Sequence, residues 1–295
     1  MKLALGTVQF GLEYGITNTH GQTSAAECHE ILTLAKNLGI STLDTSCSYG
    51  NAESVLGNYP DLAKHFNVIT KSPAFSEAKI TSQHVTKIRE SIERSCCLLN
   101  TPVLAGVLVH QCDDIFKPGG EAIYQALMHQ KSLGNIKKIG VSVYHQKQIE
   151  QVIKHFDVDI IQLPFNIFDQ RLLHDGTLAT LAQRDIDIHA RSVFLQGLFF
   201  TSPAALPDFF SSAKKPLLNL KAYAEQQGIT IAELALGFVK GFPQIKEIIC
   251  GVNTSMQLIE LINAFQKKVT LPNTSQFAIT DENIVSPVNW PPHRT

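Results

Sequence analysis

The feature that most limits how this chain can fold is an alternation that runs its whole length. Short β-branched runs are each followed by a longer amphipathic stretch, and the unit recurs about eight times in 295 residues. The runs that read as strands are 3–5, 42–43, 67–70, 103–109, 138–141, 159–163, 187–190 and 247–250. Helical patterns fall between them at 24–38, 51–58, 82–99, 119–133, 146–155, 176–184, 214–227 and 255–266, with one more at 230–240. Runs such as Val107-Leu108-Val109 and Ile160-Ile161-Gln162-Leu163 are apolar without alternation, as in a parallel sheet covered on both faces. The count and length predict an α/β fold, a closed (β/α)8 TIM barrel forming a single domain over 1–295. The competing open, doubly wound sheet would carry GxGxxG after its first strand, and Gly6 and Gly11 are too far apart for that.

Composition removes whole classes of function. Only 17% of residues are charged, against roughly 25% in typical soluble domains, and 44% are hydrophobic, so the chain has ample apolar surface to bury. The balance of 25 basic and 26 acidic residues excludes nucleic acid and membrane surfaces as partners, but leaves a small anionic ligand open. The first apolar run is broken by Gly6 and Gln9, and no segment offers about 18 consecutive apolar residues, so the expected location is cytoplasmic. The six cysteines form no CxxC pair and read as reduced thiols, with Cys47 set apart by lying inside the motif below. The 11 histidines show no HxH or HExxH spacing, so no metal is expected.

In such a barrel, polar residues just past the strands' C-terminal ends converge on one site. Asp44, Tyr49, Lys71 and His110 fall on three consecutive strand–helix junctions. Singly, three of them have a bland reading: a helix cap for Asp44, a solvated rim lysine for Lys71 and a structural histidine for His110. Together they suit proton donation. A tyrosine hydroxyl near pKa 10 donates poorly at neutral pH unless a nearby ammonium stabilises its anion. A carboxylate keeps that ammonium charged, and a histidine can orient a carbonyl beside it.

These residues resemble the aldo-keto reductase family, NAD(P)H-dependent enzymes on a (β/α)8 barrel. The matches are Gly6-Thr7 with Gly11, Asp44-Thr45-(x3)-Tyr49-Gly50-(x2)-Glu53, Thr70-Lys71, Val109-His110 and Ile139-Gly140-Val141-Ser142, then Gln162 with Asn166. Ser192-(x4)-Gly197-Leu198 and Gly251-(x5)-Gln257-(x2)-Glu260 follow in family order. The resemblance implies that the chain reduces an aldehyde or ketone, with Tyr49 as general acid, Lys71 lowering its pKa, Asp44 paired with Lys71, and His110 positioning the carbonyl. It further implies that Gly6 and Thr7 border the cofactor, and that Ser142 and Gln162 bond the nicotinamide carboxamide. Ser192, Leu195 and Gly197 would approach the pyrophosphate. Asn253, Ser255 and Gln257 would face the adenosine, with Ser255 capping the last helix.

Three departures qualify the likeness. Val143 stands where many members have Asn. Arg191 stands where many have an aromatic residue stacked on the nicotinamide; it is read as contacting a cofactor phosphate or an anionic substrate, the alternative being an outward arginine paired with a carboxylate. The third is that no basic residue occurs in 251–266 to hold a 2′-phosphate. NADP(H) is expected on family frequency, with NAD(H) as the alternative. The Phe-rich segment 194–212 reads as a lid loop or rim packing, and the tail 270–295, with Trp290 before Pro291-Pro292, as a docked strap or pocket wall. The expected partner is a small carbonyl substrate, with the chain itself a monomer or a small homo-oligomer. Two other classes remain: a Schiff-base aldolase using Lys71, and a cofactor-sensing regulatory barrel with little turnover.

Overall fold

The apolar runs read as strands all form strands, and they join into one sheet without edges. A computed structural model describes residues 1–173, 176–271 and 273–291 of the chain. Its strands are β1 (Lys2–Gly6), β2 (Thr42–Asp44), β3 (Asn67–Lys71), β4 (Gly106–Val109), β5 (Ile139–Ser142), β6 (Ile160–Pro164), β7 (Asp187–Arg191) and β8 (Ile245–Gly251). They pair in parallel in chain order, and β8 pairs with β1 to close the barrel. This is the expected (β/α)8 architecture.

One strand is shorter than its sequence predicts. The run 103–109 forms a strand only from Gly106, and Leu104 makes just an isolated bridge to Ile136. Pro102 has no backbone N–H, and Asn100 turns the chain with a positive φ of 50°, so the ladder starts late.

The helices between strands present apolar stripes to the barrel's outer face. Helix Ser82–Leu98 buries His84, Ile88, Ile92 and Ser95 on one side, at the spacing a single helical face requires. Helix Ile231–Lys240 starts with a reciprocal capping box between Thr230 and Glu233. Inside the barrel, Ile69, Leu108 and Ile160 form a separate apolar plug beneath the polar end. Residues two positions further along these strands are Lys71, His110 and Gln162, so the inward period of two carries each strand from apolar floor to polar mouth.

The described part of the tail 270–295 docks; Pro272 and residues 292–295, including Pro292, lie outside the described residues. Trp290 packs edge-on against Phe210 with centroids 4.9 Å apart, and its indole N–H donates to Ile284 O at 3.0 Å. Among the described residues no helix is long and apolar enough to cross a membrane.

Candidate active site

The inward residues at the strands' C-terminal ends line one cavity of about 530 Å³. Gly6, Asp44, Lys71, Ser142, Gln162, Arg191 and Gly251 come from seven strands, and His110 follows β4. Tyr49 reaches the cavity from the turn after β2, which two glycines seat against the turn after β1. A Cβ on Gly11 would lie 1.8 Å from Tyr49 O, and one on Gly50 would lie 2.2 Å from Gly11 O. The two backbones are therefore in direct contact, and any larger residue at Gly11 would displace the turn that carries Tyr49.

Beneath Tyr49 lies a buried ion pair. Lys71 Nζ is 2.6 Å from Asp44 Oδ1 and donates to Thr45 O at 2.8 Å, with the two side chains only 1% and 6% exposed. The other carboxylate oxygen of Asp44 accepts from Gln162 Nε2 at 2.7 Å. Asp44 holds the Lys71 ammonium above its usual range in spite of burial. Lys71 Nζ sits 5.0 Å from the Tyr49 ring centroid. Its charge pulls the phenol down, yet burial outweighs it and the Tyr49 pKa is raised. Lys71 thus acts on Tyr49 in the expected direction, against the opposing effect of burial.

His110 stands edge-on to Tyr49, at 6.0 Å and 85°. Burial, helped by the charge on Lys71, lowers its pKa to about 4, so the ring is neutral at physiological pH. Its Nδ1 is 3.4 Å from Ser46 Oγ. A serine hydroxyl donating there leaves the ring proton on Nε2.

The other residues singled out from sequence divide into three groups. Ser142 and Gln162 sit side by side in the β5–β6 register and border the cavity. Gly6, Thr7, Ser192, Gly197, Asn253 and Gln257 also border it. The Thr7 hydroxyl, however, donates to Asp44 O at 3.1 Å, so it anchors β2. Gly197 has φ 93°, and a Cβ there would meet Thr17 Oγ1 at 2.4 Å, so only glycine lets the loop after β7 close on the loop after β1.

Two expectations are corrected. The Leu195 side chain is fully buried in the core and is not part of the cavity wall. Ser255 is neither at the wall nor the cap: Thr254 caps the helix after β8, Ser255–Gln266, by accepting from Gln257 N at 3.1 Å. Arg191 is not an outward arginine either. It borders the cavity, donates to Val143 O at 3.0 Å, and lies over the Tyr144 ring with Cζ 4.5 Å from the centroid; among the described residues no carboxylate pairs with it.

Segment 194–212 forms a kinked 3-10 stretch, Leu195–Phe200, then short 3-10 turns at Pro203–Ala205 and Asp208–Phe210; Phe194 and Phe200 border the cavity while Phe199 and Phe210 pack inward. From the tail, Pro287 and Val288 also reach the cavity, so it is both strap and wall.

Sequence reasoning missed several residues. Tyr14 and Tyr144 line the cavity, and burial pushes the Tyr14 phenol up. Their signal was available as aromatic residues in loops after β1 and β5. Glu27 was hidden by a local reading: Ser24-x-x-Glu27 looks like the cap of its own helix, Ala25–Asn37. Ser24 does cap Glu27 N, but the Glu27 carboxylate accepts from the Ser255 amide, 228 residues away. That bond holds its pKa below the usual glutamate range.

The polar end fits a long ligand with both donors and acceptors. The cavity runs from Tyr49 to Gln257 and Glu260, and two buried atoms in its wall, Asn253 Nδ2 and Gln9 Oε1, have no partner among the described residues. Among the described residues no cluster of metal-ligating side chains occurs.

The model of the Aldo/keto reductase family matches residues 2–282. A Pseudomonas aeruginosa protein assigned as an aldo-keto reductase superposes with TM-score 0.66 at 20% identity, over 89% of this chain and 88% of its own. An aldo-keto reductase from Bacillus halodurans, solved in its holo form, superposes with TM-score 0.71 at 17% identity, over 94% and 90%. At these identities the likeness carries the fold. No curated protein matches the chain.

Proposed function

The chain belongs to the aldo/keto reductase family, and on that premise we propose that it reduces the carbonyl of a small aldehyde or ketone with Tyr49 as the proton donor. The observation that carries this reading is the Lys71–Asp44 pair, 2.6 Å apart and buried directly beneath Tyr49. A nicotinamide dinucleotide, when bound, supplies the hydride. The chain's own part is to hold the carbonyl and to move a proton. Neutral His110 donates through Nε2 to the carbonyl oxygen and fixes its position. As negative charge grows on that oxygen, the Tyr49 hydroxyl gives up its proton, and the Lys71 ammonium stabilises the phenolate left behind. Asp44, Thr45 O and Gln162 hold Lys71 in place, so the stabilising charge is present before the reaction starts.

The Ser142 hydroxyl and the Gln162 carbonyl, whose amide hydrogens face Asp44, are the groups offered to a carboxamide. At the far end, the Ser255 amide is taken by Glu27, Glu260 lines the wall, and 251–266 carries no basic residue. A helix N-terminus is a natural phosphate seat, and here a carboxylate fills it. The proposed dinucleotide is therefore NAD(H), in place of the NADP(H) that family frequency suggests. Six free cysteines suit the cytoplasm as the setting.

Lys71 does not suit Schiff-base chemistry, because a charged amine bonded to Asp44 and Thr45 O has no lone pair for a carbonyl carbon. The test is an aldehyde and ketone panel assayed with both reduced dinucleotides, wild type against Tyr49→Phe. Loss of at least about 100-fold in kcat/KM, with dinucleotide Kd retained, is expected; full activity in Tyr49→Phe overturns the mechanism.

A further inference from the structure

The charges at the reaction end of the cavity do not balance. Asp44 and Lys71 cancel, His110 is neutral, and burial keeps Tyr14 and Tyr49 protonated. Among the described residues Arg191 remains as an uncompensated cation. Its Nη2 donates to Val143 O at 3.0 Å and its Nη1 to Ser192 Oγ at 3.3 Å, which leaves further N–H groups of the five unused. The Tyr144 ring lies 4.5 Å from Cζ and holds the guanidinium in place. The buried carboxylate of the preceding loop, Asp169, is committed to Arg171, with Nε and Nη2 both at 2.8 Å. Among the described residues nothing answers Arg191, and its charge reaches both Tyr49 and His110.

Resting on the carbonyl-reduction reading, we propose that Arg191 forms an anion subsite beside Tyr49 and His110, and that the substrate is a carbonyl compound bearing a carboxylate. A carboxylate matches the planar guanidinium with two parallel bonds, and it cancels the unbalanced charge at the reaction end. Tyr14 and Tyr144 wall the same space and supply apolar contact to the body of the substrate, while the Tyr14 hydroxyl provides a further donor.

The test measures binding without turnover. With saturating reduced dinucleotide, so that no hydride can move to an alcohol, calorimetry gives Kd for 4-(hydroxymethyl)benzoate and for its methyl ester, which differ only in the charge. Wild type is expected to bind the acid at least about ten-fold more tightly than the ester. Arg191→Met brings the two within about three-fold, and Arg191→Lys keeps part of the difference. Equal affinity in wild type, no binding of either alcohol, or an undiminished preference in Arg191→Met overturns the proposal. So does a preference that survives while the dinucleotide's own Kd rises about ten-fold in Arg191→Met, because Arg191 would then serve the cofactor's phosphates. Failure here is separate from failure of the carbonyl reduction, which is read by aldehyde turnover in Tyr49→Phe.

Discussion

Gln162 Nε2 donates to Asp44 Oδ2 at 2.7 Å, tying β6 to β2 across the mouth of the barrel. With Lys71 on the other oxygen, the carboxylate has a partner on each side, and this is what lets a buried ion pair persist without water. Removing one member leaves an uncompensated buried charge. Lys71→Met is expected to cost about 3–5 kcal/mol of stability. Adding Asp44→Asn to it restores more than half of that loss, since the stranded charge is then gone. Urea unfolding of the single and double variants checks the coupling.

His110 predicts a pH dependence with a defined sign. Its folded pKa lies near 4 against 6.5 for an unperturbed ring, so the unfolded state binds the proton more readily. The stability this contributes is complete above 6.5 and is lost as pH falls from 6.5 towards 4. His189 is also buried with a lowered pKa and acts in the same direction, so the informative quantity is a difference. Stability curves of wild type and His110→Gln are expected to converge as pH falls through that window. Parallel curves would deny the shift.

Glu27 predicts the choice of dinucleotide. Glu27→Ala vacates the Ser255 amide and removes a negative charge from the helix N-terminus, so the NADPH Kd is expected to fall about five- to ten-fold relative to that of NADH. Fluorescence titration with both dinucleotides reads the ratio. An unchanged ratio would mean that the 2′ position lies away from this helix.

The contact between Gly11 and Gly50 predicts a steric failure. Gly11→Ala places a methyl group 1.8 Å from Tyr49 O, so the turn must move. We expect about 2–3 kcal/mol of lost stability and a fall in kcat well beyond what dinucleotide binding shows. Gly134→Ala, where a Cβ has no neighbour within 4 Å, is the comparison for added bulk alone, although its positive φ of 81° carries backbone strain.

The barrel was legible because its signal is repetitive: each strand is a short apolar run buried on both faces, and each helix carries one stripe. Asp44, Tyr49, Lys71 and His110 were legible because strand ends converge by topology, and the cavity does gather all four. What sequence could not give were relationships decided by loops. Leu195 looked like a cofactor neighbour from its motif, but backbone strain at Leu195 and Gln196, both with positive φ, turns its side chain into the core. Ser255 looked like a cap because only position was available, and the choice between Thr254 and Ser255 depends on a dihedral. Arg191 was visible as an oddity; its lack of a partner depends on Asp169 being held by Arg171, a contact no periodicity reports.

The bond from Glu27 to Ser255 lies where the first strand meets the last, beside the Thr23 hydroxyl donating to Asn253 O at 3.4 Å. On the ribosome, β1 emerges first and must wait, with one bare edge, until β8 is made some 240 residues later. Helix Ala25–Asn37 is thus a clasp that has nothing to fasten until β8 and the helix after it are made. The same carboxylate that would screen nucleotides closes the seam, so a variant opened to phosphate is also a variant whose two ends grip each other less firmly.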